Sequence, residues 1–203
     1  ANNIFYHLKN FNIKNFLLGS EEIFYFPSSI RYFLAIFKVI FNDSTYGYLM
    51  IGYLLCITIL ILFIKIFGLR FGLFFAFLII CTRLFEGYGA SIIKLLKHIN
   101  ASDAEPFAIT IFFLCLYIFI INYENKDKKY NIMNFIFGFL SFAIISLRPN
   151  YLPTVFLLFL IHIYCLYFSN KYSEIFYSLL GLSFISLIPI HNLYFGQQIV
   201  LLT

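Results

Sequence analysis

Residues 106–123 read PFAITIFFLCLYIFIINY; ENKDKK (124–129), YNIMNFIFGFLSFAIISL (130–147) and RPN (148–150) follow directly. Two uncharged runs, each close to the twenty helical residues that cross a hydrocarbon core, flank a loop crowded with charge. That is the pattern of a membrane-crossing hairpin, and the rest of the chain repeats it. Uncharged runs also occupy 44–64 and 149–170, and 175–203 is a longer stretch holding one histidine. A shorter run, 71–82, lies between Arg70 and Arg83 and can cross if Arg83 snorkels or faces protein.

Composition agrees. Of the 203 residues 62% are hydrophobic and only 11% charged, whereas a soluble domain carries roughly a quarter charged residues. The expected fold is all-α: a polytopic transmembrane bundle of about six spanning helices, near 45–67, 71–85, 107–122, 130–147, 151–168 and 173–191. Residues 1–203 form a single domain, with no internal repeat and no low-complexity linker. Residues 44–203 make the bundle and 1–43 an outer loop. In that loop Ile4, Phe5, Leu8 and Phe11 recur at helical spacing between Asn2, Asn3, Lys9 and Asn10; Tyr32, Phe33, Ile36, Phe37 and Ile40 form a second stripe after Pro27. Both read as amphipathic helices lying in the interface. Asp43 and Ser44 offer a cap for the first spanning helix, Gly68-Leu69-Arg70 a tight turn, and 92–99 a short helix within the loop 86–106. The chain opens on Ala1 with no signal segment and stops in an apolar stretch. This reads as a piece of a longer protein lacking an N-terminal helix and a C-terminal part.

The net charge of +5 is scattered over segment ends, where cations anchor and orient helices. No basic patch is interleaved with aromatics, so no nucleic-acid partner is expected. Cys56, Cys81, Cys115 and Cys165 lie inside apolar runs without metal spacing and read as small hydrophobes. Glycine-rich nucleotide loops, nucleophile elbows and zinc motifs are absent.

The positive-inside rule orients the bundle. Lys65, Arg70, Lys126, Lys128, Lys129 and Lys171 share one side, taken as the cytoplasm. Residues 1–43, 86–106, 148–150 and 191–203 fall on the other. Asp43, Asp103, Glu105, Arg148, Asn150 and His191 therefore face one compartment. Each has two readings. Arg148, with Pro149 and Asn150 after it, offers a guanidinium fork to a phosphate or anchors a helix end by snorkelling. Glu105 before Pro106 binds a substrate hydroxyl or favours the positive helix terminus, with Ser102 or Asp103 as cap. Glu21 and Glu22, as paired carboxylates, orient a metal or a base or form a solvated turn. His191 is a proton donor or acceptor, or an interfacial polar residue. His162 sits inside a helix, where an ionisable group is costly; a neutral imidazole bonded to a neighbouring helix accounts for it.

Taken in order, several stretches resemble GT-C-type membrane glycosyltransferases. They are Glu21-Glu22-Ile23-Phe24-Tyr25-Phe26-Pro27-Ser28-Ser29, the segment Phe41-Asn42-Asp43-Ser44-Thr45 leading into a spanning helix, and the Glu105-Pro106 helix opening. Leu147-Arg148-Pro149-Asn150 and His191-Asn192-Leu193-Tyr194-Phe195-Gly196 complete the set. Each motif is weak alone; their order and common side carry the resemblance, to the bacterial polyprenyl-phosphate-sugar-dependent branch that includes protein mannosyltransferases and aminoarabinose transferases. It implies transfer of a sugar from a polyprenyl-phosphate carrier to a lipid, glycan or protein acceptor at the outer face, Arg148 meeting the carrier phosphate and His191 a second donor. Glu105, Asn150, Glu21 and Glu22 are the remaining substrate-binding candidates. The family's general base is expected before Ala1, so no catalytic residue is assigned within the chain. No cofactor is called for with certainty, and a divalent metal is compatible with the resemblance although no ligand set stands out. Richness in Ile, Phe, Asn and Lys hints at an AT-rich genome, hence a bacterial inner membrane. The competing functional classes are a multi-pass transporter or flippase and a non-catalytic membrane subunit.

Overall fold

The structure, a computed structural model, describes residues 2–18, 29–42, 45–81, 104–124 and 130–197. Among the described residues every element is a helix. In chain order they are α1 (Asn2–Lys9), α2 (Ile13–Leu18), α3 (Ser29–Phe41), α4 (Thr45–Cys81), α5 (Glu105–Glu124), α6 (Asn131–Leu147), α7 (Leu152–Phe168), α8 (Tyr172–Leu182) and α9 (Leu187–Gly196). One 3₁₀ turn (Pro149–Tyr151) leads into α7 and another (Ser183–Ser186) joins α8 to α9. A backbone in lipid must satisfy its own hydrogen bonds, and helices do so within one segment. Four stretches are long and apolar enough to cross a membrane: Gly52–Leu78, Glu105–Glu124, Pro149–Phe168 and Tyr172–Phe195. The fifth apolar helix, Asn131–Leu147, is shorter. The chain is an all-α bundle suited to a lipid bilayer, and Phe74, Leu157, Tyr164 and Phe176 are among the many large apolar side chains left exposed on its flanks.

The stretch Gly52–Leu78 does not cross as one rod. Gly68 sits at φ 78°, ψ 171°, a conformation that a side chain opposes and glycine adopts freely. The chain reverses there. The Phe67 and Phe75 rings lie 5.1 Å apart, and Leu55, Ile59 and Ala76 form one buried cluster. In an unbroken helix Ile59 and Ala76 would stand about 25 Å apart at 1.5 Å per residue. The expected first helix (45–67) and turn at Gly68-Leu69-Arg70 are therefore present as a helical hairpin. The first arm, about 34 Å long, suffices to cross alone. Gly72 is the contact point between the arms, for a methyl there would meet the Ile64 backbone and the Phe63 carbonyl. Gly72→Ala is expected to force the arms apart at about 1–3 kcal/mol, the usual cost of overpacking. Thermal unfolding in detergent micelles checks this, and an unchanged midpoint would contradict the hairpin.

The hub is α6, which packs on α8, α5 and α7 and touches α3. Its buried face carries Asn134, Gly138, Ser141 and Ile145, spaced four, three and four. Facing it, α8 buries Glu174, Ser178 and Gly181 at the same spacing. In lipid, apolar side chains gain little by leaving the acyl chains for each other. Helices associate instead through close backbone packing of small residues and through polar contacts. That seam uses both. A methyl at Gly138 would strike the Ser178 carbonyl oxygen, and one at Gly181 the Phe135 carbonyl oxygen. Gly181 is thus a packing glycine. The α-helical bonding gives way to the 3₁₀ turn Ser183–Ser186 just ahead of Pro189. Proline lacks an N–H and its ring crowds the carbonyl four residues back, here that of Ile185.

On the other face of α6 the core runs through Phe107, Cys115, Phe137, Ile144, Val155 and Phe159, with Phe137 stacked on Phe159 at 6.0 Å. From outside, α3 inserts Leu34 into this core. Leu34 and Ala35 are buried, while Ile36 and Ile40 of the expected stripe face outward. A helix apolar on both sides can pack on the bundle and still present an apolar face to acyl chains.

Candidate functional site

The bundle has two polar ends. At one, Glu105 opens α5 and Arg148 closes α6. The Ala104 carbonyl accepts from the Ala108 N–H, so Ala104 holds the capping position. Asp103, expected as cap, lies outside the described residues with Ser102, Asp43, Glu21, Glu22 and the lysines 94, 97, 126, 128 and 129. Arg148 leaves the helix in an extended conformation, its N–H still bonded to the Ile144 carbonyl. Pro149 cannot continue the helix as a donor, so a 3₁₀ turn forms and starts α7. This brings Arg148 Nη2 to 3.8 Å from Glu105 Oε2, both side chains partly exposed. The distance is that of an ion pair without a formed hydrogen bond. Arg148 Nε is buried and has no partner, so the fork keeps donors unspent.

Asn150, exposed, lies on the 3₁₀ turn beside Arg148. His191 is engaged elsewhere. Its Nε2 is 2.7 Å from the Leu17 carbonyl oxygen, which also accepts from Tyr32 Oη at 2.6 Å. His191 thus ties α9 to α2 and, through the shared Leu17 carbonyl, to Tyr32 of α3, which gathers the amphipathic segments and α9 at one end of the bundle.

At the opposite end Lys65, near the hairpin turn, pairs with Glu124 at 2.5 Å. One or two turns deeper lies a buried polar chain that sequence reading caught only at His162. Asn134 Nδ2 donates to the Tyr130 carbonyl at 2.9 Å and to Glu174 Oε2 at 2.7 Å. Both partners are pure acceptors, which fixes the amide orientation. Asn134 Oδ1 must then accept, from Asn122 Nδ2 at 3.0 Å and from His162 Nε2 at 2.7 Å. His162 therefore carries a proton on Nε2, leaving Nδ1 as an acceptor. Ser178 Oγ stands 3.4 Å from the ring. Glu174 Oε1 faces Lys171 Nζ at 3.5 Å. The expected interhelical bond of His162 is thus present, to Asn134 of α6. The missed members Asn122, Asn134 and Glu174 lacked any motif; the signal was the repeat of polar and small residues at 134, 138, 141 and 174, 178, 181.

A cavity of about 220 Å³ opens between α5 and α7 at this end, with Asn122 and His162 among its lining. Among the described residues no group of three His, Cys, Asp or Glu side chains could hold a metal ion. No family model, curated protein or solved structure matches the chain.

Proposed function

We propose that the chain belongs to a membrane glycosyltransferase that moves a sugar from a polyprenyl-phosphate carrier to a lipid, glycan or protein acceptor. The observation that carries this reading is the half-exposed Arg148 fork beside Glu105, its Nε unspent, at the membrane-edge end of the bundle. A lipid-linked sugar presents its phosphate at that depth while its prenyl tail stays among the acyl chains. In transfer the bond from the anomeric carbon to the phosphate oxygen breaks, the acceptor oxygen takes its place, and the acceptor proton passes to a base. Negative charge grows on the departing phosphate. A fixed guanidinium there binds the transition state more tightly than the ground state. Glu105 holds the fork in position and leaves as partner when phosphate arrives, and Asn150 beside it has a side-chain amide for sugar hydroxyls.

Arg148→Ala is expected to lower transfer at least a hundredfold, the scale of losing one charge-stabilising donor, with membrane insertion unaltered. Arg148→Lys keeps the charge without the fork and should recover only part. Mass spectrometry of product formed from polyprenyl-phosphate sugars reads both, and full transfer by the alanine variant would remove Arg148 from the reaction. The buried Lys171–Glu174–Asn134–His162 chain favours a second reading, a transporter or flippase, since ionisable groups within a membrane often line substrate or proton paths. The two separate by residue. Transferase activity should depend on Arg148, whereas transport measured in vesicles would depend on Glu174.

A further inference from the structure

We propose that the cavity between α5 and α7 binds a neutral, hydroxyl-bearing lipid, whose alcohol donates a hydrogen bond to Asn122 or His162. The proposal is independent of the transfer reading, which concerns the other end of the bundle.

Hydrogen-bond accounting comes first. Asn122 is nearly fully buried, and its Nδ2 is committed to Asn134. Its Oδ1 is buried with no partner. His162 gives its Nε2 proton to Asn134, so Nδ1 remains an acceptor. Both polar residues of the cavity's inner part thus offer lone pairs and no spare proton. A buried acceptor left unmet costs roughly 1–3 kcal/mol. The complementary ligand must bring a donor.

The walls decide its body. Phe119, Tyr123, Tyr164 and Phe168 line the same cavity, and the last three are more than half exposed on the bundle's flank. The opening therefore faces acyl chains, and what enters is apolar along its length. Depth agrees: Asn122 lies two residues before the end of α5, and Ser169, which caps α7, is also in the lining. Polar head and apolar tail are arranged as in a lipid at the headgroup boundary.

Charge excludes the alternatives. A phosphate would bring acceptors to the two buried acceptors, with no cation in the lining and hydroxyls of Tyr123, Tyr164 and Ser169 as the only oxygen-borne donors, and with the Glu174 carboxylate behind Asn134. An ammonium would find no free carboxylate, since Glu174 is held by Asn134 and Lys171. A neutral alcohol meets both conditions.

The test uses the intact chain in detergent micelles with three diazirine-tagged probes of equal length: dodecanol, dodecyl phosphate and dodecane. Dodecanol should cross-link chiefly within 119–123 and 162–169. Excess untagged dodecanol should reduce that signal at least tenfold, and excess dodecane should not. Dodecyl phosphate should label those peptides at least tenfold less. Asn122→Leu should raise the dodecanol needed for half-competition at least fivefold. Equal labelling by all three probes, labelling centred on other helices, or unchanged competition in Asn122→Leu would each overturn the proposal. Should Asn122→Leu lose its helical circular dichroism, the wild-type cross-link pattern and its competition decide.

Discussion

Lys171→Met is expected to destabilise the bundle by about 3–5 kcal/mol, the cost of leaving a buried charge without its partner. Lys171 Nζ faces Glu174 Oε1 at 3.5 Å with both side chains almost wholly enclosed. Removing the ammonium leaves Oε1 with nothing opposite it, because Asn134 engages only Oε2. Lys171 precedes α8 and Glu174 lies in its first turn, so enclosure by protein rather than depth in lipid sets the cost. The expectation therefore stands well above the average of about 0.6 kcal/mol for an interhelical hydrogen bond in lipid. Lys171→Met combined with Glu174→Met should recover most of the loss, since a buried pair is often replaced by apolar residues of similar size at little cost. Unfolding in mixed micelles across the four-member cycle measures the coupling. If the double variant is no more stable than Lys171→Met, the pair is not what holds that end together.

The second large effect is expected at the crossing of α6 and α8. Gly181→Ala should cost at least about 3 kcal/mol, the upper end of overpacking penalties. The added methyl would meet the Phe135 carbonyl, the Phe139 nitrogen and the Gly138 carbonyl carbon, all backbone. No side chain can rotate away, so the helices must separate. Separation also stretches the 2.7 Å contact between Asn134 and Glu174, which adds polar loss to steric strain. Glycine-to-alanine changes elsewhere in helices tend to stabilise, by up to about 1 kcal/mol, so even the sign is diagnostic. A gain in stability for Gly181→Ala would refute the close approach.

Much of the fold was legible because lipid imposes length. The uncharged runs mark α5, α6 and α7 to within about two residues at each end, and Gly68 marks the hairpin turn. The common location of Glu105 and Arg148 followed from counting crossings between them. What the sequence hid depends on rotation about helix axes. The α3 stripe of Tyr32, Phe33, Ile36, Phe37 and Ile40 includes the outward-facing Ile36 and Ile40 but does not reveal that Leu34 and Ala35 are buried against protein. In a helix that is apolar nearly all round, periodicity carries little information about which face meets protein. The buried polar chain escaped for a related reason. Asn134, Gly138 and Ser141 are modest residues in a run of phenylalanines and isoleucines, and only the matching series on α8 reveals them as a seam. An acidic residue in the first turn of a helix, as Glu174 is, is ordinary and marks no network. His191, expected on the same side as Arg148, commits its Nε2 to the Leu17 carbonyl.

The interruption at Ser183–Ser186 divides the last crossing into two parts of unequal freedom. Below it, α8 is clamped to α6 by the glycine contact and the Glu174 network. Above it, α9 is fastened through His191 to the amphipathic helices instead. The two parts of that crossing are thus held by different neighbours, α8 by α6 and α9 by α2.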